Sequence, residues 1–179
     1  MPANEVVIAQ TKKWITEVVV KCGFCPFAAN EVKRGSIHYT VVRAGAKQKL
    51  SFLTSAFKEL DTDRSIETTL LIFPVSLKDF HAYLQLLSRA ETLLEKSGYE
   101  GIYQLASFHP QYLFEDAPED DAANYTNRSP YPMLHLLREA SLTHAIDGHS
   151  DIDGIPQRNV RFARRKGLAQ MKLLREACF

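Results

Sequence analysis

The chain has 179 residues, 45% of them hydrophobic and 24% charged, which is typical of one soluble globular domain spanning residues 1–179. The net charge of +1 disfavours a general electrostatic attraction to nucleic acid or to an anionic membrane. No apolar run approaches the roughly 20 residues that cross a bilayer. Three cysteines are too few for a disulfide scaffold, so we expect a cytoplasmic protein.

Helices and strands alternate along the first 108 residues. An amphipathic helix is predicted at 4–21 and a short helix at 26–33. The later elements are a strand at 37–43, a helix at 47–60, a strand at 68–73, a helix at 77–96 and a strand at 102–108. This order predicts an α/β fold in which helices cover a small, mostly parallel sheet of about three strands. Antiparallel pairing is the alternative.

Residues 109–131 form a long segment without clear periodicity. No glycine occurs between Gly101 and Gly148, whereas four of the eight prolines lie in or directly after this segment. Because prolines and aromatic anchors stiffen a loop, we expect a long ordered loop. Irregular segments of this length are often functional. Helices are predicted to follow, from Pro132 to about 147 and from Pro156 to about 178.

Three polar residues share one face of the helix predicted to begin at Pro132. His135, Arg138 and Glu139 lie three and four positions apart, so helical geometry would bring them together. A base, a cation and an acid side by side can transfer protons and hold an anion. A solvated helix face with an internal ion pair is the alternative.

The residues just before Pro132 are candidates for a ligand site. The free N–H groups of a helix start and the Arg128 guanidinium would attract an anion. Tyr125, Asn127 and Ser129 lie beside Arg128 in the sequence and complete this candidate site. Ordinary capping, with Arg128 bonded to a carbonyl group, is the alternative.

His109 follows the third predicted strand, a position at which ligands gather in parallel sheets. A histidine bonded to the loop backbone is the alternative. His109 and His135 could also share a metal with a loop carboxylate, but no spacing matches a known motif, so metal binding is a minor hypothesis and no cofactor is predicted. The carboxylates concerned are Glu115, Asp116, Glu119, Asp120 and Asp121.

Two cysteines stand three positions apart in the segment Cys22-Gly23-Phe24-Cys25-Pro26. Cys25 directly precedes a predicted helix, whose dipole would favour its thiolate as a nucleophile, with Cys22 as a resolving thiol. However, the pair follows a helix, whereas thioredoxin-type pairs lie between a strand and a helix. A buried structural cysteine is therefore an equal alternative.

Four strings of the sequence are specific when taken together: CPFA at 25–28, ETTLLIFP at 67–74, QLASFHP at 104–110 and NYTNRSPYPMLHLLRE at 124–139. With them the chain resembles the bacterial family named domain of unknown function 1415 (DUF1415), over almost its whole length. The resemblance implies a soluble bacterial protein of this size and no particular activity. Cys22 lies outside the family pattern, which favours a single-thiol or non-thiol role for Cys25.

Our leading hypothesis is a small cytosolic enzyme that acts on a small anionic or polar metabolite by acid/base chemistry. In it Arg128 and Arg138 hold the anion, His109 and His135 exchange protons, Glu139 orients one histidine, and Cys25 is the candidate nucleophile. The first alternative is a non-catalytic ligand-binding or interaction module whose polar loop is structural. The second is a metal-binding protein. A small-molecule partner is expected, nucleic acid and membrane partners are not, and the sequence does not indicate the oligomeric state.

Overall fold

A mixed sheet of four strands forms the centre of the fold. The computed structural model describes residues 1–45, 48–147 and 154–179. The strands in these ranges are β1 (Ile37–Val41), β2 (Thr68–Ile72), β3 (Tyr103–Phe108) and β4 (Met133–Arg138). The α-helices in the same ranges are α1 (Asn4–Trp14), α2 (Ala28–Arg34), α3 (Lys49–Thr62), α4 (Phe80–Lys96), α5 (Glu139–Asp147), α6 (Ile155–Lys166) and α7 (Leu168–Glu176). A π-helix, Ile15–Val20, continues α1, and a 3-10 helix, Ala122–Thr126, lies in the long loop.

The spatial order of the strands is β1-β2-β4-β3. β1 and β2 are parallel, whereas β4 runs antiparallel to both β2 and β3. The predicted α/β class is confirmed. The sheet has four strands instead of about three, and it is mostly antiparallel instead of mostly parallel, because β4 is inserted between β2 and β3.

The helix predicted from Pro132 to about 147 is wrong over its first half. Residues Met133–Arg138 form the strand β4, and α5 begins only at Glu139. Alternate residues of β4 pack on opposite faces of the sheet, with Met133 in one core cluster and Leu134 in the other. A central strand buried on both faces is a nearly continuous apolar run, and periodicity does not separate such a run from a buried helix.

Each face of the sheet carries its own apolar core. One core joins α1, the π-helix, α6 and α7 to the sheet, and Trp14, Val18, Leu70 and Ala163 belong to it. The other core joins α3 and α4 to the opposite face through residues such as Phe57 and Tyr83. Residues of β4 on opposite faces therefore lie in different environments.

The predicted C-terminal helix is two helices, α6 and α7, which meet at Gly167. Gly167 has φ 82° and ψ 153°, a conformation that only glycine adopts without strain. The start of the helix predicted at Lys47 and the predicted break at Gly148 lie outside the described residues. Within the described ranges, no helix combines the length and the apolar character that crossing a membrane requires.

Candidate functional site

A small cavity of about 110 Å³ lies between the sheet and the N-terminal helices. Its lining is mostly apolar and comes from α1, the π-helix, the start of α2, all four strands of the sheet and α5. Cys25, Glu31, Thr68 and His135 bring chemically active groups to this wall. Of the residues that the sequence singled out, Cys25 and His135 are therefore brought to one place.

The π-helix forms part of the cavity wall through Ile15 and Val19. All but one of its six residues are β-branched, and such side chains crowd the preceding turn of a regular α-helix. Short π-helical insertions in α-helices are rare and are frequent at functional sites. This run of β-branched residues is a sequence signal that the helix prediction at 4–21 passed over.

His135 lies at the middle of β4 on the cavity side of the sheet. Its Nε2 lies 2.5 Å from the hydroxyl oxygen of Thr68, whose own proton is donated to the carbonyl oxygen of Leu136. The contact therefore requires that Nε2–H be the donor, which leaves Nδ1 with a free lone pair. Burial lowers the pKa of His135 to about 4, so the imidazole is neutral at pH 7.

Cys25 lies in the tight turn that connects the π-helix to α2. Gly23 has φ 67° in this turn, and its carbonyl oxygen accepts a hydrogen bond from Arg158 of α6. Asn159, the next residue of α6, donates to the carbonyl oxygen of Phe24 at 2.7 Å. Two side chains of α6 thus hold the turn in place and with it the position of the Cys25 thiol.

The Cys25 thiol is largely enclosed. Burial raises its pKa, and the backbone amides of Ala28 and Phe27, which bond the sulfur, offset that rise only in part. The pKa of Cys22 is raised as well, again by burial, with Lys166 acting in the opposite direction. Both residues are free thiols, and of these two only Cys25 lines the cavity.

His109 lies apart from this cavity and contacts α4. Its ring packs 5.0 Å from the ring centroids of both Phe80 and Tyr83. Nε2 donates to the carbonyl oxygen of Leu77 at 2.7 Å, and Nδ1 accepts from the amide of Gln111 at 3.0 Å. Both ring nitrogens are therefore hydrogen-bonded to the backbone. Burial lowers the pKa of His109, which agrees with a neutral ring held in one tautomer.

Arg138 and His135 are on opposite faces of β4, so the helical face predicted for them does not exist. The Arg138 guanidinium bonds the carbonyl oxygens of Leu60 and Ile66 and lies 5.7 Å from the ring centroid of Tyr103. Through its bond to Leu60, Arg138 ties the end of α3 to the sheet. Glu139 begins α5, and its amide donates to the carbonyl oxygen of Ile102.

The long loop is ordered by contacts with its own backbone. Asn124 is fully buried and bonds the amide of Phe114 and the carbonyl oxygen of Pro118. Arg128 donates to the carbonyl oxygens of Tyr112 and Glu119, and its guanidinium lies 4.8 Å from the ring centroid of Tyr125. These contacts are those expected if the polar residues of the loop have a structural role.

The other two residues of the predicted ligand site also bond the protein itself. Asn127 donates to the carbonyl oxygen of Ser107 at 3.2 Å. Ser129 is fully buried and donates to the carbonyl oxygen of Tyr131 at 2.6 Å. No helix starts at Pro132, so the helix-terminus anion site expected there is wrong; the amide of Phe73 instead donates to the Pro132 carbonyl oxygen within the sheet.

Asp121, one of the loop carboxylates, is held by contacts within the protein. Asp121 caps the 3-10 helix by accepting from the amide of Ala123, and it forms an ion pair with Arg164 at 2.7 Å. Over the described part of the chain, no group of three or more histidine, cysteine, aspartate or glutamate side chains is placed to hold a metal ion.

The family model described as a protein of unknown function, DUF1415, matches residues 6–173. The chain belongs to the DUF1415 family. The match includes the Cys25-Pro26 element, β2, β3, the long loop and β4. Comparisons with curated proteins and with solved structures give no match.

Three wall residues of this DUF1415 protein were missed by the sequence analysis. Trp14 was assigned to the apolar stripe of a helix, Thr68 to the start of a buried strand, and Glu31 was not considered. Glu31 is 3% exposed, which is unusual for a carboxylate, yet no local pattern distinguishes it from a surface glutamate. Only the packing of α2 against the π-helix reveals its position.

Proposed function

We propose that this protein binds a small molecule whose uncharged, largely apolar part occupies the cavity beneath the π-helix. The observation that carries the proposal is the cavity itself, a space of about 110 Å³ with a mainly apolar wall that includes Cys25 and His135. An engineered apolar cavity of about 150 Å³ binds benzene, so a space of this size accepts a branched alkyl group or a small ring.

The state of the polar groups in the wall supports an uncharged occupant. His135 is neutral at pH 7 because its pKa lies at about 4. The raised pKa of Cys25 keeps this residue a thiol at the same pH. The cationic groups that the sequence analysis assigned to an anionic metabolite, Arg128 and Arg138, bond backbone carbonyl oxygens elsewhere. An anionic ligand in the cavity would therefore lose hydration without gaining a cation.

A second candidate is an enzyme that acts on the bound molecule through Cys25. It is favoured by one observation, the presence of a thiol and of an imidazole with a free Nδ1 lone pair in the same wall. In that scheme His135 would accept the Cys25 proton, a transfer that the low pKa of His135 and the raised pKa of Cys25 make unfavourable. Ligand binding requires the cavity alone, whereas catalysis would require binding and a proton transfer from Cys25.

Binding can be tested with 3-methylbutan-1-ol as the probe and thermal unfolding as the measurement. At ten times its Kd the probe should stabilise the protein by about 1.4 kcal/mol. For a chain of this size that corresponds to a rise in Tm of about 4 °C. Ala28→Leu places a larger side chain in the cavity wall and should abolish the rise.

Ala29→Leu is the matched control, because it makes the same chemical change at the next residue of α2, which is exposed. Its Tm rise should equal that of the wild type. If Ala28→Leu does not fold, Ala106→Leu fills the cavity from β3. An equal Tm rise in the filled and control variants would exclude the cavity as the binding place.

Cytoplasmic residence is part of this proposal. Cys22, Cys25 and Cys178 are free thiols, a state that a reducing compartment maintains. The proposed partner is a small molecule and not nucleic acid, since the net charge of +1 provides no general attraction to phosphate.

A further inference from the structure

The cavity adjoins a larger and more polar cleft of about 520 Å³ between α2, Glu67 and the start of α5. Phe27 and Glu31 line both spaces, so the cavity and the cleft meet at these two residues. The cleft wall also carries Glu67 and Ser141. A ligand with an apolar end in the cavity would therefore extend its other end past Glu31 into the cleft.

Glu31 is placed at this junction with spare capacity to accept hydrogen bonds. Its Oε2 accepts from the hydroxyl group of Ser36. Its Oε1 faces Nη1 of Arg34 across 3.6 Å, beyond hydrogen-bond distance, and the Arg34 side chain is 71% exposed. In the described part of the chain no hydrogen bond reaches Oε1. An ion pair with so exposed a partner contributes little to stability, so a better hydrogen-bond donor can displace Arg34 from Oε1.

Each carboxylate of the cleft wall lies near an arginine, but only the arginine beside Glu31 is highly exposed. Two carboxylates, Glu31 and Glu67, line it together with one arginine, Arg34. Glu67 accepts from Ser141 and lies 3.8 Å from Arg138, whose donors are used by carbonyl groups. Lys12 lines a separate groove next to Glu31, with its ammonium 5.1 Å from the ring centroid of Tyr39.

From this arrangement we infer that the ligand is an amphipathic amine, with its alkyl or aryl end in the cavity and its ammonium group on Glu31. The inference rests on the proposed function, because it needs the cavity to hold the apolar end. A buried carboxylate with a free oxygen accepts a charge-assisted hydrogen bond from an ammonium group. An anion at the same place would face the buried Glu31 carboxylate.

Three probes with the same branched alkyl group test the inference: 3-methylbutan-1-amine, 3-methylbutan-1-ol and 3-methylbutanoate. Their Kd values are measured by titration calorimetry at pH 7. The amine should bind about tenfold more tightly than the alcohol, and the carboxylate should bind most weakly. Glu31→Gln should remove the preference for the amine and leave the Kd of the alcohol nearly unchanged.

Glu95→Gln, an exposed change on α4, is the matched control and should retain the tenfold preference. If Glu31→Gln does not fold, Arg34→Gln decides, because removing the competing guanidinium should tighten amine binding about twofold or more. Equal Kd values for amine and alcohol in the wild type would overturn the inference while leaving the proposed function intact. Failure of the alcohol to bind would instead overturn the proposed function.

Discussion

Arg138→Met should lower the free energy of unfolding by about 4 kcal/mol, because hydrogen bonds from a charged donor contribute about 1.5–3 kcal/mol each and the acceptors they leave are partly buried. The guanidinium bonds the carbonyl oxygens of Leu60 and Ile66, which belong to the end of α3 and to the segment before β2. It also lies 3.8 Å from Glu67. Methionine keeps the apolar stem and supplies none of these donors. Urea unfolding at pH 7 measures the change.

Two variants complete this experiment. Arg138→Lys retains the charge but not the planar set of donors, so it should lose about half as much stability. Arg34→Met removes an arginine whose side chain is 71% exposed and should change stability by less than about 0.5 kcal/mol. If Arg138→Met cost as little as Arg34→Met, Arg138 would be free to hold a ligand, as the sequence analysis expected.

The second large effect is a loss of stability in mild acid caused by His135. Its pKa is about 4 in the folded protein and about 6.5 in an unfolded chain, so the unfolded state binds the proton first as pH falls. The stabilisation is complete above about pH 6.5 and is lost as the pH falls toward 4. Between pH 7 and pH 5 the free energy of unfolding should decrease by about 2 kcal/mol from this residue. The pKa of His109 is also lowered by burial, so this residue too reduces the free energy of unfolding as the pH falls.

His135→Gln separates this contribution from that of other titrating groups. Glutamine can still donate to Thr68 but does not titrate, so urea unfolding of the variant should be about 2 kcal/mol less sensitive to the change from pH 7 to pH 5. His81 is exposed on α4, and His81→Gln should retain the sensitivity of the wild type. An identical pH dependence in the wild type and in His135→Gln would mean that the His135 ring is solvated.

Local sequence patterns predicted most of the elements but not the sheet that joins them. The strands at β1, β2 and β3 and the helices α3 and α4 follow from clear periodicity and from glycine and proline boundaries. The prediction for the β4 segment was wrong because leucine is a strong helix former and because a strand buried on both faces lacks the alternation of apolar and polar residues. That one error changed the predicted sheet from mixed to mostly parallel and placed His135 and Arg138 on the same side.

The candidate site was predictable only in part for the same reason. The prolines and aromatic residues of the loop indicated order correctly, and Asn124 and Arg128 supply it through buried hydrogen bonds. That Cys25 and His135 line one cavity depends on contacts between residues more than 100 positions apart. No local spacing encodes such a contact, and the burial of Glu31 is equally a property of tertiary packing.

If the space beside Cys25 is a binding site, a bound molecule should protect that thiol from alkylation. The rate of alkylation of each cysteine by iodoacetamide is measured by peptide mass spectrometry, with and without 3-methylbutan-1-ol at ten times its Kd. Because the pKa values of Cys22 and Cys25 are both raised, the reaction is run at pH 9 to obtain measurable rates. We expect the bound probe to slow the alkylation of Cys25 about tenfold and to leave the alkylation rate of Cys22 unchanged. Equal rates at Cys25 with and without bound probe would contradict it.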